Sequence, residues 1–539
     1  MTFQVGRIGP WPSGVNLRDA DLAPERMPAD QLQFLLNLDP GGSGVLRARL
    51  GCRFAGSSTM YAIISGGAGG PAFSLLGTYD QAFQSLALVS VYTGTTANTS
   101  SFFYSSKPDS TSTGDWVAVP GGTLAGKFST TVQYQGKLYL VPAAGSGGVA
   151  GSGRFRTDPT TGSWTALATI PQGDTATMIR ERLFVVDQVA NRVYYSRATD
   201  PATWSAPDGG SFDVNPGDGQ QIQAVAVVNS QLYVFKRSRT YLFTFSADPA
   251  LDGQLTLISD QLGADDALTW ENGIICVNSS GVYRLLNNYF SRMDELAPAG
   301  ALGNNLAAVR PQVVLEGDNL VVRTRLVTGF SHLAMNLRTN AWSVRSYADA
   351  NVVPASRWLG VSNPDGGANA QQWNLYGHNA TVLRTTALGP LELSRTKSTL
   401  DTTQAGGIVS PRYSLLTSVM DGGNPTAHKS FRGLTALLRN QLAAGDAAVV
   451  CRVRAGIMAQ PADALDLDLS VDRQTVSVPS GQWGGKIPLT QYRFLSTAWM
   501  LDKAQTTLSP GISNPATAHD LQVRGLVATI DVRGGSERV

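Results

Sequence analysis

Charge is scarce in this chain. Only 15% of its 539 residues are Asp, Glu, Lys or Arg, against about 25% in ordinary soluble domains. The 42 basic and 40 acidic side chains leave a formal net charge of +2. That gives no strong field for tight nucleic-acid binding. The four histidines, His332, His378, His428 and His519, are scattered, and no short-range metal pair is formed. The three cysteines, Cys52, Cys276 and Cys451, are far apart and odd in number, which shows neither a disulfide framework nor a metal spacing. Their apolar neighbours imply burial.

Other absences narrow the classes further. No run of about 18 apolar residues exists to span a bilayer. Met1-Thr-Phe-Gln-Val-Gly6 has no basic segment leading into an apolar one, so a secretory leader is not expected. The chain is expected to be made in a cytoplasm, without stable membrane insertion. There is no Gly-Lys-Ser/Thr phosphate loop and no Gly-x-Ser-x-Gly elbow. The best carboxylate groups are Asp265-Asp266, read as a turn at the start of a strand, and Asp466 with Asp468, read as one solvated strand face. A propeller glycosidase would need two carboxylates about 5–10 Å apart, which sequence does not exclude. No catalytic, metal-binding or cofactor-binding residue is assigned, and no enzyme activity is expected.

What the chain has is glycine, 57 residues of it, with 42% hydrophobic residues. Many tight turns and short strands follow from that mix, and disorder does not. The strands recur. Tyr134-Gln-Gly-Lys-Leu-Tyr-Leu-Val141, Ile179-Arg-Glu-Arg-Leu-Phe-Val-Val186, Val228-Asn-Ser-Gln-Leu-Tyr-Val-Phe235, Glu271-Asn-Gly-Ile-Ile-Cys-Val277 and Leu315-Glu-Gly-Asp-Asn-Leu-Val-Val322 are each a polar turn feeding an apolar run. That is a strand entered from a hairpin. Leu138, Leu183, Leu232, Ile274 and Leu320 align at a period of roughly 40–50 residues, the repeat length of a β-propeller blade. Weaker copies at Ser85–Tyr92 and Gln372–Tyr376 bring the count to roughly seven blades. Turn-plus-tryptophan elements, Asp158–Trp164 and Asn336–Trp342, with echoes at Trp116 and Trp204, resemble the Kelch turn in a few copies. We read these tryptophans as packing between blades.

The segments on either side differ. Residues 1–60 are read as an N-terminal arm with platform strands, 61–390 as the propeller, and 391–539 as a jelly-roll-like antiparallel β-sandwich. Pro28–Asn37 is compatible with a short helix, and Leu38–Leu50 with two strands about a Gly-rich turn. Ser394–Gly407 reads as a linker. Strands are expected at 413–419, 434–439, 447–454, 465–471, 492–496 and 521–532, of which 465–471 and 521–532 alternate apolar with polar. The loops 65–70 and 143–153 are low-complexity and expected to order against a neighbouring subunit. Lys236-Arg-Ser-Arg239 reads as a basic hairpin tip, solvated or facing DNA.

The N-terminal order of Trp11, Pro12, Gly14, Val15 and Asn16, then Asn37-Leu38-Asp39, then Leu46, Arg47, Arg49 and Gly51 resembles the start of propeller-type tail proteins of bacteriophages. It is most like the tail nozzle (tubular) proteins of podoviruses. Val419–Arg432 resembles the segment that leaves the propeller in the same family. The resemblance implies a virion protein assembled in the host cytoplasm. It would form a ring, sixfold by that likeness, around the DNA channel below an adaptor or tail-tube protein. It would conduct the genome without sequence specificity and anchor tail fibres or spikes. The chain is short for a large nozzle, which leaves a tail-hub or ring protein of another phage morphology open. Two alternatives stand beside it: a tail-tip propeller that binds or cleaves glycans, and a free Kelch-type adaptor. An exposed aromatic cluster in one propeller mouth would favour the glycan reading.

Overall fold

The computed structural model describes residues 116–293 almost without a break, most of 72–105 and of 311–345, and elsewhere mainly individual strands between residues 2 and 532. The fold is all-β: a seven-bladed propeller joined to an antiparallel β-sandwich. The inner strands of the blades are Ala72–Gln81, Phe128–Tyr134, Thr175–Ile179, Ile222–Val228, Asp266–Trp270, Gln312–Glu316 and Leu359–Asn363. Blades 1 to 7 are numbered in that order, and each inner strand pairs antiparallel with the next strand in sequence.

The sequence repeat is the hairpin between the first and second strands. In blades 2, 3 and 4 the ladder closes on Tyr134↔Lys137, Ile179↔Arg182 and Val228↔Gln231, and in blades 5 and 6 on Trp270↔Gly273 and Glu316↔Asn319. Each loop is therefore two residues long. Gln135-Gly136, Arg180-Glu181 and Asn229-Ser230 all take positive φ at both positions, as a turn matching the right-handed strand twist requires.

The second strands explain the aligned residues. They are buried on both faces, because a neighbouring blade covers each side. Side chains alternate between the two neighbours. Leu183 and Val185 join Tyr139 and Val141 in the layer between blades 2 and 3. Phe184 and Val186 point the other way, to Leu232 and Val234 between blades 3 and 4. Tyr233 and Phe235 then meet Ile274 and Cys276 between blades 4 and 5. So Leu138, Leu183, Leu232 and Ile274 each face the preceding blade. The core is a ring of such wedges rather than one centre. Burying one of these leucines is worth about 1.5–3 kcal/mol.

Trp164 and Trp204 pack between blades, as expected. Trp164, beside the outer strand of blade 2, lies 5.4 Å from Phe102 of blade 1 and takes the Arg156 guanidinium at 4.9 Å. Trp342 and Trp116 are buried. Trp204 packs in the wedge between blades 2 and 3.

Three sequence expectations need correction, and two fall outside the described residues. Leu32–Leu36 is a strand, not part of a helix. It pairs with Tyr413–Thr417 and, in parallel, with the outer strand of blade 6, and Leu32 and Leu35 are buried there. Tertiary pairing outweighs a weak helical pattern. The Ala143–Gly153 loop is ordered by its own chain. Lys127 N donates to Gly147 O at 2.7 Å and Ala144 N to Gly173 O at 3.3 Å. A Cβ on Gly148 would lie 1.9 Å from the Ala143 carbonyl oxygen, so the loop folds tightly on itself. The expected linker contributes strand Asp401–Thr402, which pairs with Ile408–Ser410. The expected strand 465–471 and the loop 65–70 lie outside the described residues.

The N-terminal segment is woven into both bodies. Cys52–Ala55 supplies the outer strand of blade 7 beside Leu383–Leu388. Leu38–Pro40 and Leu46–Ala48 form a hairpin, and Leu46–Ala48 adds to a sheet with Lys429–Asn440, Gly484–Phe494 and Leu521–Val532. Thr2–Ile8 pairs along Leu521–Val532 in the same sheet. The other sandwich sheet continues from blade 6 through Leu32–Leu36 to Tyr413–Thr417, Thr497–Lys503, Ala447–Ala455 and Arg473–Val478.

Candidate functional site

The inner strand of a blade pairs on one edge only, so its other edge presents unpaired N–H and C=O groups to the next blade. Side chains meet them. Gln133 acts as a stand-in peptide: its Nε2 donates to Asp80 O at 2.9 Å, and Asp80 N donates to its Oε1 at 2.7 Å. Thr130 Oγ1 donates to Leu76 O at 3.2 Å. Gln188 Nε2 reaches Gln223 O at 3.0 Å, and Thr269 Oγ1 reaches Val227 O at 3.0 Å. Between blades 5 and 6, Val313 N donates to Asp266 Oδ2 at 3.0 Å. Asp266 therefore begins its strand, as expected, and also ties two blades.

Inside these strands runs a central channel of about 840 Å³, lined by residues of the first six inner strands. Thr78, Thr175, Thr177 and Gln312 give it a polar wall. Its size is that of a small-molecule cavity, about 300–1,000 Å³. A nucleic-acid duplex does not pass through it.

Of the Lys236–Arg239 hairpin tip only Arg237 is exposed. Lys236 is fully buried, with Nζ 2.8 Å from Asp218 Oδ1 and 2.9 Å from Asn215 O. Arg239 reaches the other Asp218 oxygen at 3.4 Å. Burial alone would push the Asp218 carboxyl up, but hydrogen bonds from Lys236 and Gln220 N and the charges of Lys236 and Arg239 outweigh it and hold it low. The sequence showed three cations in four residues; the anion that neutralises two of them lies 18 residues upstream of Lys236 and left no local signal.

A second buried network joins the arm to the propeller. Asn37 is buried at φ 58, with its N–H on Val344 O at 2.8 Å. This left-handed corner moves the chain from one sandwich sheet to the other. Asp39 then takes Arg345 in a two-pronged pair, Nε to Oδ1 at 3.1 Å and Nη2 to Oδ2 at 2.7 Å. Ser343 Oγ donates to the same carboxylate at 3.1 Å. The other guanidinium nitrogen of Arg345 holds Glu316, and Arg345 is 2% exposed. The Asn-Leu-Asp part of the N-terminal motif is thus a corner and a clamp.

The remaining candidates are quickly placed. His332 is buried in blade 6; His378, His428, His519, Asp466 and Asp468 lie outside the described residues. Burial pushes the Cys276 thiol up to about 12; nothing is described of the Cys52 and Cys451 side chains. Among the described residues no three His, Cys, Asp or Glu gather in a metal-binding group. No described helix is long and apolar enough to cross a membrane.

No family model and no curated protein matches this chain. Solved structures of β-propeller proteins do. BamB from Moraxella catarrhalis aligns at 12% identity and a TM-score of 0.33, over 66% of this chain and 96% of that one. Apo AztD from Citrobacter koseri aligns at 10% identity and 0.28, over 57% and 88%. A chain of the nidogen–laminin complex aligns at 10% and 0.27, over 40% and 78%. Similarity of this degree carries no argument about activity or partners.

Proposed function

We propose that this chain is a structural protein of a bacteriophage tail that forms a nozzle-like ring around the DNA channel. The reading rests on the N-terminal motif, whose Asn37-Leu38-Asp39 portion sits at the junction of propeller and sandwich. Blade 6 and one sandwich sheet are a single hydrogen-bonded sheet, and the arm is threaded through both bodies. Such a subunit resists bending between its parts, which suits a wall. Because the propeller channel is of small-molecule size, the conduit in this proposal is the space enclosed by several copies. Its faces would contact an adaptor or tail-tube protein on one side and fibres or spikes on the other.

Electron microscopy of the particle that contains this chain tests the proposal. A closed ring of copies coaxial with a DNA-filled channel is the expected image. Isolated copies at the periphery, or assembly only as monomers in purified protein and virions alike, would end it. The glycan-binding alternative has a separate observation in its favour, a cleft on one face of the propeller.

A further inference from the structure

We infer that the cleft between blades 4 and 5 is a binding subsite for a neutral saccharide. In an antiparallel blade the loop between the first and second strands and the loop between the third and fourth open on the same face. The cleft lies there, with a volume of about 260 Å³. Asn229 and Gln231 line it from blade 4, and Asn272, Asn287 and Asn288 from blade 5. The Tyr233 hydroxyl donates to Asn288 Oδ1 at 3.0 Å and so fixes one amide in the wall.

Turn geometry accounts for some of these residues. Asn229, Asn287 and Asn288 have positive φ, which asparagine tolerates well. Asn272 is the second residue of the blade 5 hairpin turn, but turn geometry does not account for Gln231, which begins a strand. Nor does it account for the convergence of amides from two blades on one hollow. Asn229, Asn272 and Asn287 are exposed and Gln231 is half-buried, and among the described residues no protein group occupies their side-chain amides, so all four are open to a ligand.

The chemistry of the wall selects its ligand. Each primary amide offers a donor and an acceptor side by side, which matches vicinal hydroxyls, themselves donors and acceptors. Among the described residues no charged side chain lines the cleft, so a phosphate or a carboxylate would meet no counter-charge from them. Tyr289, next in the chain after Asn288, is 80% exposed but does not line the cleft; the aromatic in the wall is Tyr233. It is a single aromatic, not the cluster that a whole-mouth glycan site would show. The subsite therefore suits one or two sugar units and weak binding per copy, which a ring of copies would multiply.

The test is a printed array of neutral and acidic glycans probed with the full chain, followed by saturation-transfer NMR and titration with the best free glycan. Neutral glycans are expected to bind. Gln231→Ala with Asn272→Ala should weaken that binding about tenfold, since two neutral hydrogen bonds are lost, while the thermal melt stays unchanged. Val189→Ser, on an exposed residue outside the cleft, should change nothing. No neutral glycan bound at millimolar concentration, acidic glycans bound alone, or binding that the double variant leaves within about twofold would each overturn the inference. The ring proposal is read separately by microscopy, so either can fail alone.

Discussion

Arg345→Met is the most informative perturbation of this fold. Methionine keeps most of the apolar stem and removes the charge. Asp39 and Glu316, with side chains 14% and 3% exposed, would then face one another across the gap with no cation between them. Breaking a buried pair from one side costs about 3–5 kcal/mol, a large share of the roughly 5–15 kcal/mol that holds a domain together. Asp39→Asn should cost less, about 1.5–3 kcal/mol, because Arg345 keeps Glu316 and loses only a charge-assisted bond. Urea denaturation followed by tryptophan fluorescence reads both, with buried Trp342 three residues from the lesion in the same strand. Because the clamp joins the arm to blade 6, Arg345→Met should also split unfolding into separate sandwich and propeller transitions. A loss below about 1 kcal/mol, or equal losses for the two variants, would refute the assignment of Arg345 as the shared cation.

Asp218→Asn should cost about 3 kcal/mol near neutral pH, since it strands the buried Lys236 ammonium. The folded Asp218 pKa is depressed, so its contribution is present above the ordinary carboxyl value near about 4 and fades as pH falls through the folded one. The gap between wild type and Asp218→Asn in denaturation should therefore close only in strong acid. Ser230→Gly should stabilise by roughly 0.5 kcal/mol, because Ser230 sits at φ 60 where glycine pays no steric penalty; the melting temperature reads it. With its thiol pushed up to about 12, Cys276 should resist iodoacetamide at pH 8 in folded protein and react once unfolded, as site-resolved mass spectrometry would show.

The propeller was legible because its hairpins repeat a local pattern. A two-residue polar turn and an apolar run recur wherever a second strand lies between two blades, so Leu138, Leu183, Leu232 and Ile274 could be aligned without a template. The long-range features were not legible. Asp39 and Arg345 are 306 residues apart, and neither neighbourhood names the other. The helical reading of Pro28–Asn37 failed for the same reason, since the partners of Leu32–Leu36 lie far along the chain. Lys236 misled in a different way. A cluster of cations looks like surface, and only the fold shows that a turn from the preceding connection closes over it. The asparagines of the cleft were each readable as turn residues; their convergence, with Gln231 from a strand start, needed two blades side by side.

The pairing of Thr2–Ile8 with Leu521–Val532 sets a schedule for biosynthesis. Strands 2–8, 38–40, 46–48 and 52–55 are translated before their partners in the sandwich and in blade 7 exist. Blades 2 to 5 each close on consecutive strands and can form as they emerge, but blade 7 cannot take up its outer strand until Leu383–Leu388 has been made, and the sandwich sheet cannot fill until translation has passed residue 532. Through that interval the early strands expose open edges, the usual route to misassembly. The two bodies are thus finished in order, the propeller ring before the sandwich sheet that Thr2–Ile8 edges.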